Sequence, residues 1–257
     1  MRGENRIQPK FPGKRRVRVW RAGHRGFPYV APENTLASFE AAVRAGVDMI
    51  EFDVTLSRDG VPVVLHDRTL NRTTDGRGSP RRRVVSELKS LDAGGWFARA
   101  YRGERIPTLD ETLKFLKGRV AVNVEIKIEA VSWRAAGGIE EKVVKALRAS
   151  GMAPYSVVSS FFPLAVRRVK RIAPEQSAAL LISRPLRRDP LRLASRVRAD
   201  ALHLAVQLVD RELIIRAREA GLPIRVFTVN RLPDMRRLAA WGVDGVFSDR
   251  ADRLARL

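Results

Sequence analysis

The sequence predicts an α/β protein in which eight strand-then-helix units close a TIM (β/α)8 barrel. Three observations carry that expectation. Short β-branched or apolar runs alternate with longer amphipathic segments, as repeated βα units require. Glycines and prolines fall where helices stop and start. The length, 257 residues, is close to the roughly 250 of one such barrel, and eight units in that length favour closure over an open doubly wound sheet.

The elements follow in order. A polar, basic arm covers about residues 1–15, and residues 16–257 are expected to form one barrel domain. The first strand is expected over Val17 to Ala22, and the first helix over Thr35 to Ala45, stopped by Gly46. Met49 to Leu56 is the second strand. The interval from about 61 to 105 then breaks the rhythm. It holds an apolar run, VPVVLH, a turn-rich stretch, TTDGRGSPRRR, and a helical piece around Ser86 to Leu91. Such an interval exceeds an ordinary βα loop and reads as a small inserted subdomain over the catalytic face. Regular alternation resumes with strands at Val120 to Ile128, Ser156 to Ser160, Ala178 to Ser183, Ala201 to Ala205, Ile224 to Val229 and Gly245 to Ser248. Between them, helices over Ile139 to Ser150 and Asp210 to Ala220 end at Gly151 and Gly221. A last one is opened by Pro233 and followed by Gly242.

Composition narrows the chemistry. With no cysteine, thiolate catalysis, disulfides and Cys-ligated metals are excluded, so any metal must sit among oxygen and nitrogen ligands. The first twenty residues contain no apolar run of the kind a secretory signal needs, and no stretch approaches a bilayer span. A cytoplasmic protein is expected. The formal net charge is +21, from 49 Lys plus Arg against 28 Asp plus Glu. That field would attract phosphorylated substrates, anionic lipid or nucleic acid, and its bland reading is a solvated, Arg-rich surface.

Residues two apart on a strand share a face. Glu51 and Asp53 in IEFDV therefore project together, as do Asn123, Glu125 and Lys127 in VNVEIK. Clustered carboxylates at the strands' C-terminal ends suit a hard divalent cation, Mg²⁺ or Ca²⁺. They also suit an ion network with Lys127 and nearby arginines, and strand pattern alone does not choose. Two of the three histidines, His24 in GHRG and His66 in LHD, follow strand-like runs at the same face and could exchange protons at neutral pH. His203, mid-strand, reads as a hydrogen-bonded structural residue.

Taken together the pieces are far more specific. HRG at 24–26, PENT at 32–35, EFDV at 51–54, HD at 66–67, RTT at 72–74, IPTLDETL at 106–113, NVEIK at 123–127, SSF at 159–161, FTVN at 227–230 and GVDGVFSD at 242–249 closely resemble the glycerophosphodiester phosphodiesterase family in order and spacing. The resemblance implies a TIM barrel with an inserted subdomain after the second strand. It also implies cleavage of a small glycerophosphodiester to glycerol 3-phosphate and an alcohol. By that resemblance His24 and His66 are the acid–base pair, and Glu51, Asp53 and Glu125 hold the divalent cation. Arg25 and Lys127 contact the phosphate, and Phe227 replaces a common Trp against the glycerol or alcohol moiety. Glu33 and Asn34 would line the site, with Asn34 also a candidate N-cap.

Two further readings stand beside this one. The same site could act on lysophospholipids, with the basic surface holding the protein at an anionic membrane. A noncatalytic nucleic-acid-binding barrel would explain the charge, but not the acid, base and carboxylate set, so no nucleic-acid partner is expected.

Overall fold

The computed structural model describes residues 19–133, 137–186 and 188–257; the basic arm and Val17 lie outside them. Eight parallel strands form the barrel: β1 (Trp20–His24), β2 (Met49–Leu56), β4 (Ala121–Ile126), β5 (Ser156–Ser160), β6 (Ala178–Ile182), β7 (Ala201–Ala205), β8 (Ile224–Phe227) and β9 (Gly245–Ser248). A short ninth strand, β3 (Pro62–Val64), runs antiparallel to β2. Closure is direct, because β1 pairs with β2 on one side and with β9 on the other.

Around the barrel lie α1 (Leu36–Arg44), α3 (Leu109–Leu116), α4 (Ile139–Ser150), α5 (Pro163–Ile172), α6 (Pro190–Val197), α7 (Arg211–Glu219), α8 (Leu232–Trp241) and the short α9 (Ala251–Leu254), with α2 (Val85–Ser90) in the insertion. Their ends have local causes. Thr108 and Glu111 form a reciprocal capping box at α3, and Asp189 and Asp210 cap α6 and α7. Gly151 and Gly242 take the left-handed conformation that terminates α4 and α8. Among the described residues, no helix is long and apolar enough to cross a membrane.

Nearly every residue of the barrel strands is buried, because helices cover one face and the barrel interior the other. Ala22, Met49, Ala121, Val157, Ala179, Ala201 and Phe247 pack together inside the barrel. Four alanines among the seven leave room for Met49 and Phe247, so the interior is a packed plug rather than a pore. The polar residues Glu51, Asp53, Asn123, Glu125 and Ser159 lie nearer the strands' C-terminal ends, on an apolar foundation.

Two boundaries differ from the expected ones in ways that matter. The first strand continues to His24, so this histidine is part of the barrel wall. The apolar run VPVVLH contains β3, whose three residues are too few to show an alternating pattern. Pairing of Val54 with Val64 and Leu56 with Pro62 folds the insertion back over β2. There it builds a core of its own from Val63, Leu65, Leu70, Leu88, Ala93 and Ile106.

Candidate active site

His24 ends β1 in register with Glu51 on β2, and its Nδ1 lies 2.7 Å from Asp249 Oδ1. Asp249 is itself fixed, since its backbone N–H donates to Asn230 Oδ1 and its Oδ2 accepts from Asn230 Nδ2 at 2.8 Å. His66 follows β3: the Leu65 N–H donates to the Asp53 carbonyl at 3.1 Å, prolonging the β2–β3 pairing and setting the next residue over the site. Its Nδ1 lies 2.6 Å from Asp67 Oδ1. Each imidazole thus has one nitrogen committed to a carboxylate, leaving Nε2 as the nitrogen free to exchange a proton.

Behind His66 runs a relay of ion pairs. Arg72 donates to Asp67 at 2.8 Å and to both oxygens of Glu33, and Glu33 accepts from Arg25 Nη1 at 2.8 Å. The turn carrying Arg25 is tight. Arg25 and Gly26 both have positive φ, and a Cβ at Gly26 would meet Ser38 Oγ at 2.4 Å. Glycine is therefore required there. The turn aims the Arg25 backbone N–H at Glu51 Oε2, 2.9 Å away.

Asn34 corrects one expectation. The N-cap of α1 is Thr35, whose side chain accepts from Ser38 N. Asn34 instead adopts φ 59° and turns its amide inward, donating to Asp53 Oδ2 at 2.9 Å. Lys127 sits just past the end of β4, not on it, yet its Nζ reaches Asp53 at 3.1 Å and Glu125 at 2.9 Å. Arg25 Nε lies 3.5 Å from Asp53 Oδ2.

The two readings of the carboxylates, ion network or cation site, are therefore both partly realised. Asp53 is well paired, and although burial opposes its ionisation, Lys127 and Arg25 hold its carboxyl well below the usual range. Glu51 differs: its Oε1 is buried without a hydrogen-bond partner. Burial, and then the negative charge of Asp53, push its carboxyl up to about 8. Glu125 moves the same way for the same reasons, with Lys127 opposing. Each of the three offers an oxygen within 4.8 Å of the others. Three buried carboxylates facing two side-chain cations, with one oxygen unpaired, fit a hard divalent cation.

The histidines are pushed in opposite directions. Burial works against protonation of His24, but Asp249 and Glu51 outweigh it and the pKa rises. At His66 burial dominates, helped by Arg25 and Lys127 against Asp53 and Asp67, and the pKa falls.

A cavity of about 160 Å³ joins these groups. His24, Arg25, Glu51, His66, Asn123 and Glu125 make its polar half. Phe161, Leu181, Phe227 and Phe247 make an apolar half, with Phe161 and Phe227 edge to face at 5.8 Å. His203, read from the sequence as structural, also lines this cavity; it is fully buried and lies 3.3 Å from Arg225 Nη1. Phe227, expected against the glycerol or alcohol moiety, does line the cavity, and Glu33, expected to line the site, pairs with Arg25 and Arg72. The roles of Asp249, Asn230, Arg72, Phe161, Leu181 and Phe247 are not among the sequence expectations, although RTT, SSF, FTVN and FSD are among the motifs that carry the resemblance.

The fold and site define an α/β-barrel enzyme of the phosphodiesterase class. The model of the glycerophosphoryl diester phosphodiesterase family matches residues 24–253. A glycerophosphodiester phosphodiesterase of Caldanaerobacter subterraneus subsp. tengcongensis is 38% identical over 91% of this chain and 95% of its own length. Among solved structures, a glycerophosphodiester phosphodiesterase from Agrobacterium tumefaciens superposes with a TM-score of 0.82 at 33% identity, covering 93% of this chain and all of that one. A phosphodiesterase from Oleispira antarctica, solved in complex with the product sn-glycerol-3-phosphate, gives 0.82 at 32% identity over 92% of this chain and 95% of its own. The chain belongs to the glycerophosphoryl diester phosphodiesterase family.

Proposed function

We propose that this protein hydrolyses small glycerophosphodiesters to glycerol 3-phosphate and an alcohol, with a divalent cation, Mg²⁺ or Ca²⁺, at Glu51, Asp53 and Glu125. The observation that carries the reading is the meeting, in one cavity, of an unpartnered buried carboxylate oxygen with two histidines each clamped at Nδ1. When bound, the cation would offset negative charge on the phosphoryl oxygens and make a neighbouring hydroxyl more acidic.

The chain's own groups do the rest. One imidazole, neutral and held by its aspartate, accepts the proton of the attacking glycerol hydroxyl as its oxygen bonds to phosphorus. The other, protonated, gives its proton to the alcohol oxygen as the phosphorus–oxygen bond to it breaks. By resemblance to the family the first product is a cyclic phosphate, which water opens with the two imidazoles in reversed roles. Arg25 and Lys127, which line the site beside Asp53, bind phosphate oxygens by charge-assisted hydrogen bonds. The apolar half, Phe227 with Phe161, excludes water beside the glycerol or alcohol moiety.

The test is release of glycerol 3-phosphate from glycerophosphocholine and glycerophosphoethanolamine by purified protein. Steady release that stops on adding EDTA is the expected result. Folded protein that releases none with either cation present would contradict the reading.

A further inference from the structure

Eight large apolar side chains are exposed among the described residues, and their distribution is one-sided. Tyr29, Val30, Trp96, Ile128, Trp133 and Leu186 all lie on segments that follow the C-terminal ends of barrel strands, the end that holds the catalytic cavity. The remaining two, Ile215 and Leu257, lie on α7 and at the last residue. Among the described residues, the connections at the opposite end of the barrel contribute none. Exposed apolar groups scattered singly need no explanation, but six gathered at one end do.

These groups are built in. Trp133 is 84% exposed, yet its carbonyl accepts from Arg168 Nη2 and its ring meets Phe162 edge to face at 5.9 Å. Trp96 meets Phe97, which in turn meets Tyr101, whose hydroxyl donates to the Val30 carbonyl. The insertion and the β1–α1 loop thereby form one surface. Tyr29 carries the Arg250 guanidinium 3.8 Å over its ring.

The same segments are basic. Residues 61–105 contain ten Lys or Arg against five Asp or Glu, and in the loop after β6 the exposed Arg184 and Arg188 stand on either side of Leu186. Arg68 and Arg231 stand largely in solvent at the same end. Aromatic and aliphatic side chains interleaved with arginine match the interface of an anionic bilayer, where rings sit at headgroup depth and guanidinium groups meet lipid phosphate. Nucleic acid would use the arginines and the rings, but not Val30, Ile128 and Leu186.

We infer that the C-terminal face of the barrel is a docking surface for an anionic phospholipid bilayer, so that the catalytic cavity opens toward the lipid. The surface is separate from the catalytic groups, and binding is read without turnover, so its failure and failure of the phosphodiesterase reading are distinguishable.

The test is co-sedimentation of the full chain with vesicles of phosphatidylcholine alone and of phosphatidylcholine mixed with phosphatidylglycerol. Wild type should sediment with the mixed vesicles only, and release as salt rises. Replacing Trp133 and Leu186 by serine should weaken binding at least about tenfold. Ile215→Ser on α7, a residue about as exposed as Leu186, should leave it unchanged. Circular dichroism establishes that each variant is folded. On wild-type protein alone, lipids brominated in the acyl chain should quench tryptophan fluorescence, which keeps the inference testable if the double variant fails to fold. Absence of wild-type binding, equal binding by the double variant, or equal binding to phosphatidylcholine would overturn it. So would capture of duplex DNA by wild type and double variant alike with no vesicle bound.

Discussion

The two halves of the catalytic cavity are built differently. The polar half, from β1, β2 and β4 with His66, is cross-linked around its histidines and Asp53, with Glu51 Oε1 left unpaired: Asn34, Arg25 and Lys127 converge on Asp53, and His24 and His66 are each clamped by an aspartate. The apolar half, from Phe161, Leu181, Phe227 and Phe247, is shaped by packing, with one edge-to-face pair as its main specific contact. Groups that must hold charge or pass protons need fixed partners, because a misplaced buried charge costs far more than a misplaced ring. On the proposed reading, chemistry belongs to the first half and selection of the alcohol to the second.

The largest expected effect breaks the polar half. His24→Ala and His66→Ala should each lower turnover of glycerophosphocholine by about 10²- to 10⁴-fold at saturating cation. Full turnover in both variants would remove the histidines from the mechanism. Asp249→Asn should cost less, about ten- to a hundredfold, as partners that orient a functional histidine typically do. It should also move whichever limb of the pH–rate profile reports His24 to lower pH, the alkaline one if His24 is the acid and the acid one if it is the base, because the carboxylate that favours protonated His24 is gone. An unshifted limb would mean that Asp249 serves only the fold.

A cation effect on stability is the next smaller. Glu51, raised to about 8 from an ordinary value of 4.5, holds a proton in the folded chain that the unfolded chain has lost between those limits. Linkage then makes this group's contribution fall as pH rises through that window in the cation-free protein. A bound cation favours the ionised carboxylate, so the gain in melting temperature on adding Mg²⁺ or Ca²⁺ should be larger at the alkaline end of the window than at the acid end. A gain independent of pH would indicate binding elsewhere.

The smallest effect sharpens the other half. Phe227→Ala should raise KM for glycerophosphocholine about tenfold or less while kcat stays within about twofold, because it removes contact with the substrate body and not with the reacting atoms. A large loss of kcat would show that the apolar wall also aligns the phosphate.

Much of the barrel was legible because its causes are local. Strands at Met49–Leu56, Ser156–Ser160, Ala201–Ala205 and Gly245–Ser248, and the helix Ile139–Ser150, were expected with the boundaries they have. Buried parallel strands read as continuous apolar runs, and glycine marks the helix ends. The carboxylates were legible because residues two apart on a strand share a face, and His24 and His66 because each closes a strand-like run. What escaped depends on partners distant in sequence. Asp249 meets His24 across 225 positions only because β9 closes against β1, and Arg72 meets Glu33 across 39. Asn34 and Thr35 are both competent caps, and only the pull of Asp53 on the asparagine amide decides between them.

The most direct test of the account is cation add-back to EDTA-treated wild type and Glu51→Gln, read as glycerol 3-phosphate released from glycerophosphocholine. The account predicts that wild type is silent until Mg²⁺ or Ca²⁺ returns, and that Glu51→Gln needs at least roughly tenfold more cation for half-maximal rate, about 1.4 kcal/mol of lost affinity. Undiminished release in EDTA, with the same response from Glu51→Gln as from wild type, would contradict it.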